Sequence, residues 1–112
     1  MHTDVTHRTT DAAIVIYIDG DLTTNTSPDV ETEILEAVEG EDKHVVINVE
    51  NVNFIASTGL RVILALGKKL GGQGLKLTVC SMNPSTKSVF EMSGFTKLFP
   101  TYSDEEEALG NL

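Results

Sequence analysis

The stretch "NVNFIASTGLRVIL", residues 51–64, decides how the chain is read. An apolar β-type run closes at Phe54 and Ile55. Two hydroxyl residues and a glycine follow (Ser57, Thr58, Gly59), and an apolar helical pattern then begins. Hydroxyls at a strand-to-helix junction have two physical uses. A Ser or Thr oxygen can cap the helix by accepting from one of its unpaired N–H groups, worth on the order of 1 kcal/mol. The same helix start, with free N–H groups and a positive dipole end, also receives an anion well. A serine there can carry a phosphate, about −1.5 to −2 charges at neutral pH, without unfolding the helix. Ser57 is the first choice for either role and Thr58 the second.

The spacing downstream predicts a helix from Ser57 to about Leu70, ended by "GGQG" at 71–74. Leu60, Ile63, Leu64 and Gly67 share one face, and Val62, Leu66 and Leu70 lie partly on another. That arc is wider than one sheet covers, so neighbouring helices or a partner must cover the remainder. Upstream, "HVVINV" (44–49) is continuously apolar, as in a strand covered on both faces. A turn on Asn51 and Asn53 should then return Phe54 and Ile55 to the core.

Further out, "AAIVIYI" (12–18) is a short β-branched strand, and a weaker strand falls near 3–9. In "TSPDVETEILEAVEG", Thr26 or Ser27 can cap a helix, Pro28 suits its first position, and Asp29 and Glu31 suit its first turn. Val30, Ile34, Leu35 and Val38 form its apolar stripe, and Gly40 stops it. "LKLTVC" (75–80) is another strand. Asn83 and Pro84 open a helix that Gly94 ends, with Met92 and Phe95 assigned to the core. A short strand near Leu98–Tyr102 precedes a last helix, where Ser103 and Glu106 have capping-box spacing. Strands alternating with helices imply an α/β sheet domain.

Composition narrows the function classes. A length of 112 residues fits one domain spanning 1–112, and 40% hydrophobic with 22% charged residues is ordinary globular composition. A net charge of −9 disfavours nonspecific binding to nucleic acid or anionic lipid. Cys80 is the only cysteine, so no internal disulfide forms. The polar start "MHTDVTHRTT" lacks a signal-peptide centre, and Arg61 and Lys68 interrupt the richest apolar run. The expectation is a soluble cytoplasmic protein without membrane or direct nucleic-acid contact. Catalysis finds little footing: no G-x-S-x-G elbow is present, and His2, His7 and His44 do not stand out as bases. No spacing suits a metal, and "GGQG" lacks the Lys-Ser/Thr of a phosphate loop. No catalytic residue, metal or cofactor is expected.

"FIASTGLRVIL" resembles the hallmark segment of STAS domains, above all of bacterial anti-sigma-factor antagonists: an apolar pair, Asp-Ser-Ser/Ala-Gly-Leu, then an apolar helix. "DGDLTTNTSPDV" is similar to that family's Gly-Asp/Glu-Leu-Asp loop and following helix, and "NPSTKSVFEMSGFTKLF" looks like its late helix and next strand. The resemblance implies a STAS fold with a mixed four- or five-stranded sheet and about four helices packed chiefly on one face. It implies a switch and not an enzyme. Family members bind an anti-sigma factor that is itself a serine kinase of the GHKL type, which frees a sigma factor. The kinase phosphorylates the serine at the helix start, the complex separates, and a serine phosphatase resets it. Ser57 matches that serine, with Thr58 as second acceptor. The implied partner surface comprises Thr23, Thr24 and Asn25 of the loop and Ala56, Ser57, Thr58, Gly59, Leu60 and Arg61 of the junction. Two family aspartates are replaced, by Ala56 and Thr23. A second role within the family is a non-phosphorylated scaffold or an accessory subunit of a lipid-type ABC transporter.

Overall fold

The apolar runs lie side by side. The computed structural model describes residues 2–112. Its sheet has five strands in the order β1 (Asp4–Thr9), β2 (Ala13–Asp19), β3 (His44–Asn51), β4 (Leu77–Cys80) and β5 (Thr101–Tyr102). β1 and β2 are antiparallel, joined by a tight connection in which the Thr10 N–H donates to the Ala13 carbonyl at 2.7 Å. The other pairings are parallel. Parallel neighbours need long crossovers, and α1 (Ser27–Val38), α2 (Ser57–Gly71) and α3 (Pro84–Met92) with the single turn α4 (Phe95–Leu98) supply them. α5 (Glu105–Gly110) follows β5.

The period-2 alternation of strands sorts the side chains into two layers. Ile14, Ile16 and Ile18 join Val45, Ile47, Val49, Leu77 and Val79 in the main core, with Val30 and Ile34 of α1, Ile63 and Leu66 of α2, Phe90 of α3 and Phe95 of α4. Ala13, Val15, Val46 and Cys80 face the other way and meet Ala108 of α5. Four helices therefore cover one face and α5 alone caps the other, which is why β3 reads as continuously apolar. Burial under α5 pushes the Cys80 thiol up to about 11.

Polar contacts fasten α5. Arg8 Nη2 donates to Glu105 Oε2, Arg8 Nε donates to Tyr17 Oη at 2.9 Å, and Asn48 Nδ2 donates to Glu105 Oε1 at 3.3 Å. Desolvation alone would push the Glu105 carboxyl up. The hydrogen bond and positive charge of Arg8, with the donor on Asn48, outweigh it and hold the carboxyl below its ordinary value.

Several local expectations change. Phe54 does not return to the core; it is 53% exposed, and only Ile55 is buried. Met92 is also solvent-facing at 86%, whereas Phe95 is buried as expected, edge-on to Phe90. Leu35, placed in the α1 stripe, lies at its exposed margin. The stretch read as a strand from Leu98 begins as the last residue of α4, and strand pairing starts only at Thr101. The α5 cap is Asp104, accepting from the Glu107 N–H at 2.8 Å, one residue beyond the expected Ser103–Glu106 pair. Among the described residues no helix is long and apolar enough to cross a membrane.

Candidate functional site

The loop before α1 and the junction before α2 are zipped together. Leu22 and Ile55 form an isolated parallel bridge: the Leu22 N–H donates to the Phe54 carbonyl at 2.9 Å, and the Ala56 N–H donates to the Leu22 carbonyl at 2.8 Å. The bridge holds Ala56 in an extended conformation (φ −79°, ψ 168°), which is what an N-cap residue needs. Ala56 is therefore the N-cap, and Ser57 is the first helical residue. The expected side-chain cap at Ser57 does not form. Ser57 is exposed and its hydroxyl is uncommitted to the helix.

Gly59 explains how the two segments come so close. A Cβ at this position would lie 2.8 Å from Leu22 Cβ and 3.1 Å from Ile55 Cγ2, closer than carbon atoms pack. Gly59 is buried against Leu22 and offers a partner no side chain. Leu60 is half-buried and packs on the core, while Arg61 is exposed and makes no salt bridge among the described residues.

The hydroxyl-rich loop splits into structural and free members. Thr23 and Thr26 bond reciprocally: the Thr23 N–H donates to Thr26 Oγ1 at 2.9 Å, and the Thr26 N–H to Thr23 Oγ1 at 3.1 Å. Thr26 Oγ1 donates to the Asp21 carbonyl at 2.8 Å, and Ser27 Oγ to the Thr23 carbonyl at 2.6 Å. Thr23 is thus occupied in shaping the loop. Thr24 and Asn25 remain exposed. A shallow cavity of about 170 Å³ separates the two segments, lined by Thr24, Ser27, Pro28 and Glu31 on one side and Thr58, Arg61 and Val62 on the other.

The two candidate acceptors differ in access. Ser57 is exposed, whereas Thr58 Oγ1 is shielded from solvent and has no hydrogen-bond partner. The backbone at the start of α2 favours an anion at Ser57. The Gly59 and Leu60 N–H groups both donate to the Ala56 carbonyl, which leaves those of Ser57 and Thr58 outside the helix's own ladder. The first turn holds no acidic residue. Among the described residues no cluster of His, Cys, Asp and Glu is arranged to hold a metal ion.

The sequence did not flag Phe54, whose ring stands in solvent three positions before Ser57. Its signal was the polar flanking pair Asn51 and Asn53, which marks a loop as readily as a return to the core.

Comparison with known proteins identifies the family and the fold. The STAS domain family model matches residues 4–108, and the chain belongs to that family. The Anti-sigma F factor antagonist of Paenibacillus polymyxa is 33% identical over 100 residues, covering 88% of this chain and 86% of that protein. The crystal structure of an anti-sigma factor antagonist from Mycobacterium paratuberculosis is 27% identical and superposes with a TM-score of 0.85, over 96% of this chain and 92% of that one. The Bacillus cell fate determinant SpoIIAA, solved in its phosphorylated form, shares the fold with a TM-score of 0.73 at 21% identity, over 96% of this chain and 97% of that one.

Proposed function

We propose that this chain is an anti-sigma-factor antagonist whose binding is switched by phosphorylation of Ser57. It carries no catalysis of its own. Its partner is a serine-kinase anti-sigma factor of the GHKL type; a serine phosphatase acts on the modified form, and the exchange takes place in the cytoplasm. The unmodified rim formed by Thr24, Asn25, Ser57 and Arg61 docks on the kinase, and a phosphate on Ser57 ends the contact.

One observation carries this reading: Ser57 is exposed at the first position of α2 with its hydroxyl free of any capping role. A phosphate there meets unpaired N–H groups and a helix dipole, so the folded chain accepts it. A docked partner does not, because burying a charge without a counter-ion is costly. Coupling of this kind amounts to about 1–3 kcal/mol, roughly 5- to 150-fold in affinity. The losses of aspartate at Ala56 and Thr23 remove negative charge beside the site, which eases phosphate accommodation.

The test is to incubate the chain with a serine-kinase anti-sigma factor and ATP and to map the product by mass spectrometry. One phosphate on Ser57 and none on Thr58 is the expected result. Complex formation with no modification of Ser57 removes the switch.

A further inference from the structure

We propose that Phe54 is the apolar anchor of the partner surface, buried on binding in a pocket of the anti-sigma factor whose Lys and Arg side chains face Asp19, Asp21 and Glu50 and not Ser57. The inference rests on the antagonist reading above and adds the feature that supplies grip.

The first argument is exposure without a structural use. The ring is 53% exposed, while Ile55 beside it takes the place in the core. The second is the mount. The Phe54 carbonyl accepts from the Leu22 N–H at 2.9 Å, and the Asn53 N–H donates to Asp21 Oδ1 at 3.2 Å. Asn83 Nδ2 donates to the Val52 carbonyl at 2.9 Å and to Asn53 Oδ1 at 3.1 Å. The loop before α1, the core and the start of α3 thus all hold the segment that carries the ring. An aromatic on a fixed backbone loses little freedom on binding, and aromatics are enriched at the centres of protein interfaces.

Position and charge select the occupant. Ser57 lies three positions after Phe54, a reach of about 10 Å at most, and the Leu22–Ile55 bridge brings the loop of Thr24 and Asn25 to the same rim. Anchor and modification site therefore share one contact area. Asp19 and Glu50 are exposed at the ends of the neighbouring strands, Asp21 lies against Asn53, and the chain carries −9 overall. A complementary protein surface is apolar opposite Phe54, cationic opposite these carboxylates and without a counter-ion opposite Ser57. Met92 and Leu98 are also exposed, but they lie on α3 and α4 away from this junction in sequence and share no such mount.

The experiment measures binding of wild type, Phe54→Ala, Phe54→Leu and Ser57→Asp to each purified serine-kinase anti-sigma factor of the source organism, by calorimetry or surface plasmon resonance. Expected are a loss of about 30-fold or more for Phe54→Ala, read mainly in the dissociation rate, and a smaller loss for Phe54→Leu. Circular dichroism and melting temperature should match wild type for both. Unchanged affinity of Phe54→Ala beside a weakened Ser57→Asp overturns the anchor and leaves the switch standing. Failure of every kinase to bind wild type overturns both. A wild-type dimer that Phe54→Ala dissolves makes the ring a contact between two copies and likewise overturns the proposal.

Discussion

The Ala56 N–H donates to the Leu22 carbonyl at 2.8 Å, and this one bond decides which residue begins α2. It fixes Ala56 as the N-cap and so releases the Ser57 hydroxyl from structural duty. A cap is normally read from local side-chain chemistry. Here a contact between segments far apart in sequence sets it.

Ser57→Ala should therefore be nearly silent in stability. A true side-chain cap would lose about 1 kcal/mol on truncation to Ala, whereas an exposed first-turn residue changes stability by less than about 0.5 kcal/mol. Ser57→Asp should be neutral or gain about 0.3–1 kcal/mol from the helix dipole. Urea denaturation at pH 7 checks both, and a loss above about 1 kcal/mol in Ser57→Ala would reinstate the cap.

Gly59→Ala should be destabilising although alanine favours helices. The added carbon would sit 2.8 Å from Leu22 Cβ, and both neighbours are buried. Overpacking of this sort costs about 1–3 kcal/mol. A lower urea midpoint with an unchanged m-value is the expected signature. Equal stability would mean that the Leu22 bridge is free to open.

Thr58→Val should be neutral or stabilising by up to about 1 kcal/mol. Thr58 Oγ1 is buried without a partner, and an apolar group of the same shape removes that desolvation penalty. The melting temperature should hold or rise, and phosphate transfer to Ser57 should continue. A drop of several degrees would reveal that the hydroxyl has a partner.

Glu105→Gln should weaken the domain at neutral pH and lose that effect in acid. The Glu105 carboxyl is held below its ordinary value near 4.5. A depressed carboxylate contributes stability that is fully present above the unfolded-state pKa and is lost as pH falls through the folded-state pKa. The pair with Arg8 is partly solvated, so the difference at pH 7 should be about 1 kcal/mol or less. Denaturation midpoints of the two proteins should converge once the pH falls below that lowered folded-state value. A gap that persists at pH 2–3 would assign the effect to packing and not to charge.

Much of the fold was legible because its signals are local. Asn83 accepts from the Thr86 N–H at 2.9 Å as the cap-plus-proline pattern required. The run "HVVINV" forms the central strand, and "GGQG" turns the chain after α2. What escaped the sequence depends on non-local contacts. Phe54 and Met92 looked like core by residue type, but the layer beneath α2 and α3 is already filled by Ile55 and Phe90. The wide apolar arc of α2 is covered largely by the sheet and α1, so its breadth alone did not mark an interface.

The sheet keeps its strands in the order in which they are synthesised, each pairing with its immediate predecessor. A chain emerging from the ribosome can therefore lay the sheet down from one edge to the other without holding a strand open for a later arrival. By the time β3 has paired, Leu22 is already waiting for Ile55, so the corner that carries Ser57 can be assembled before the last third of the polypeptide exists.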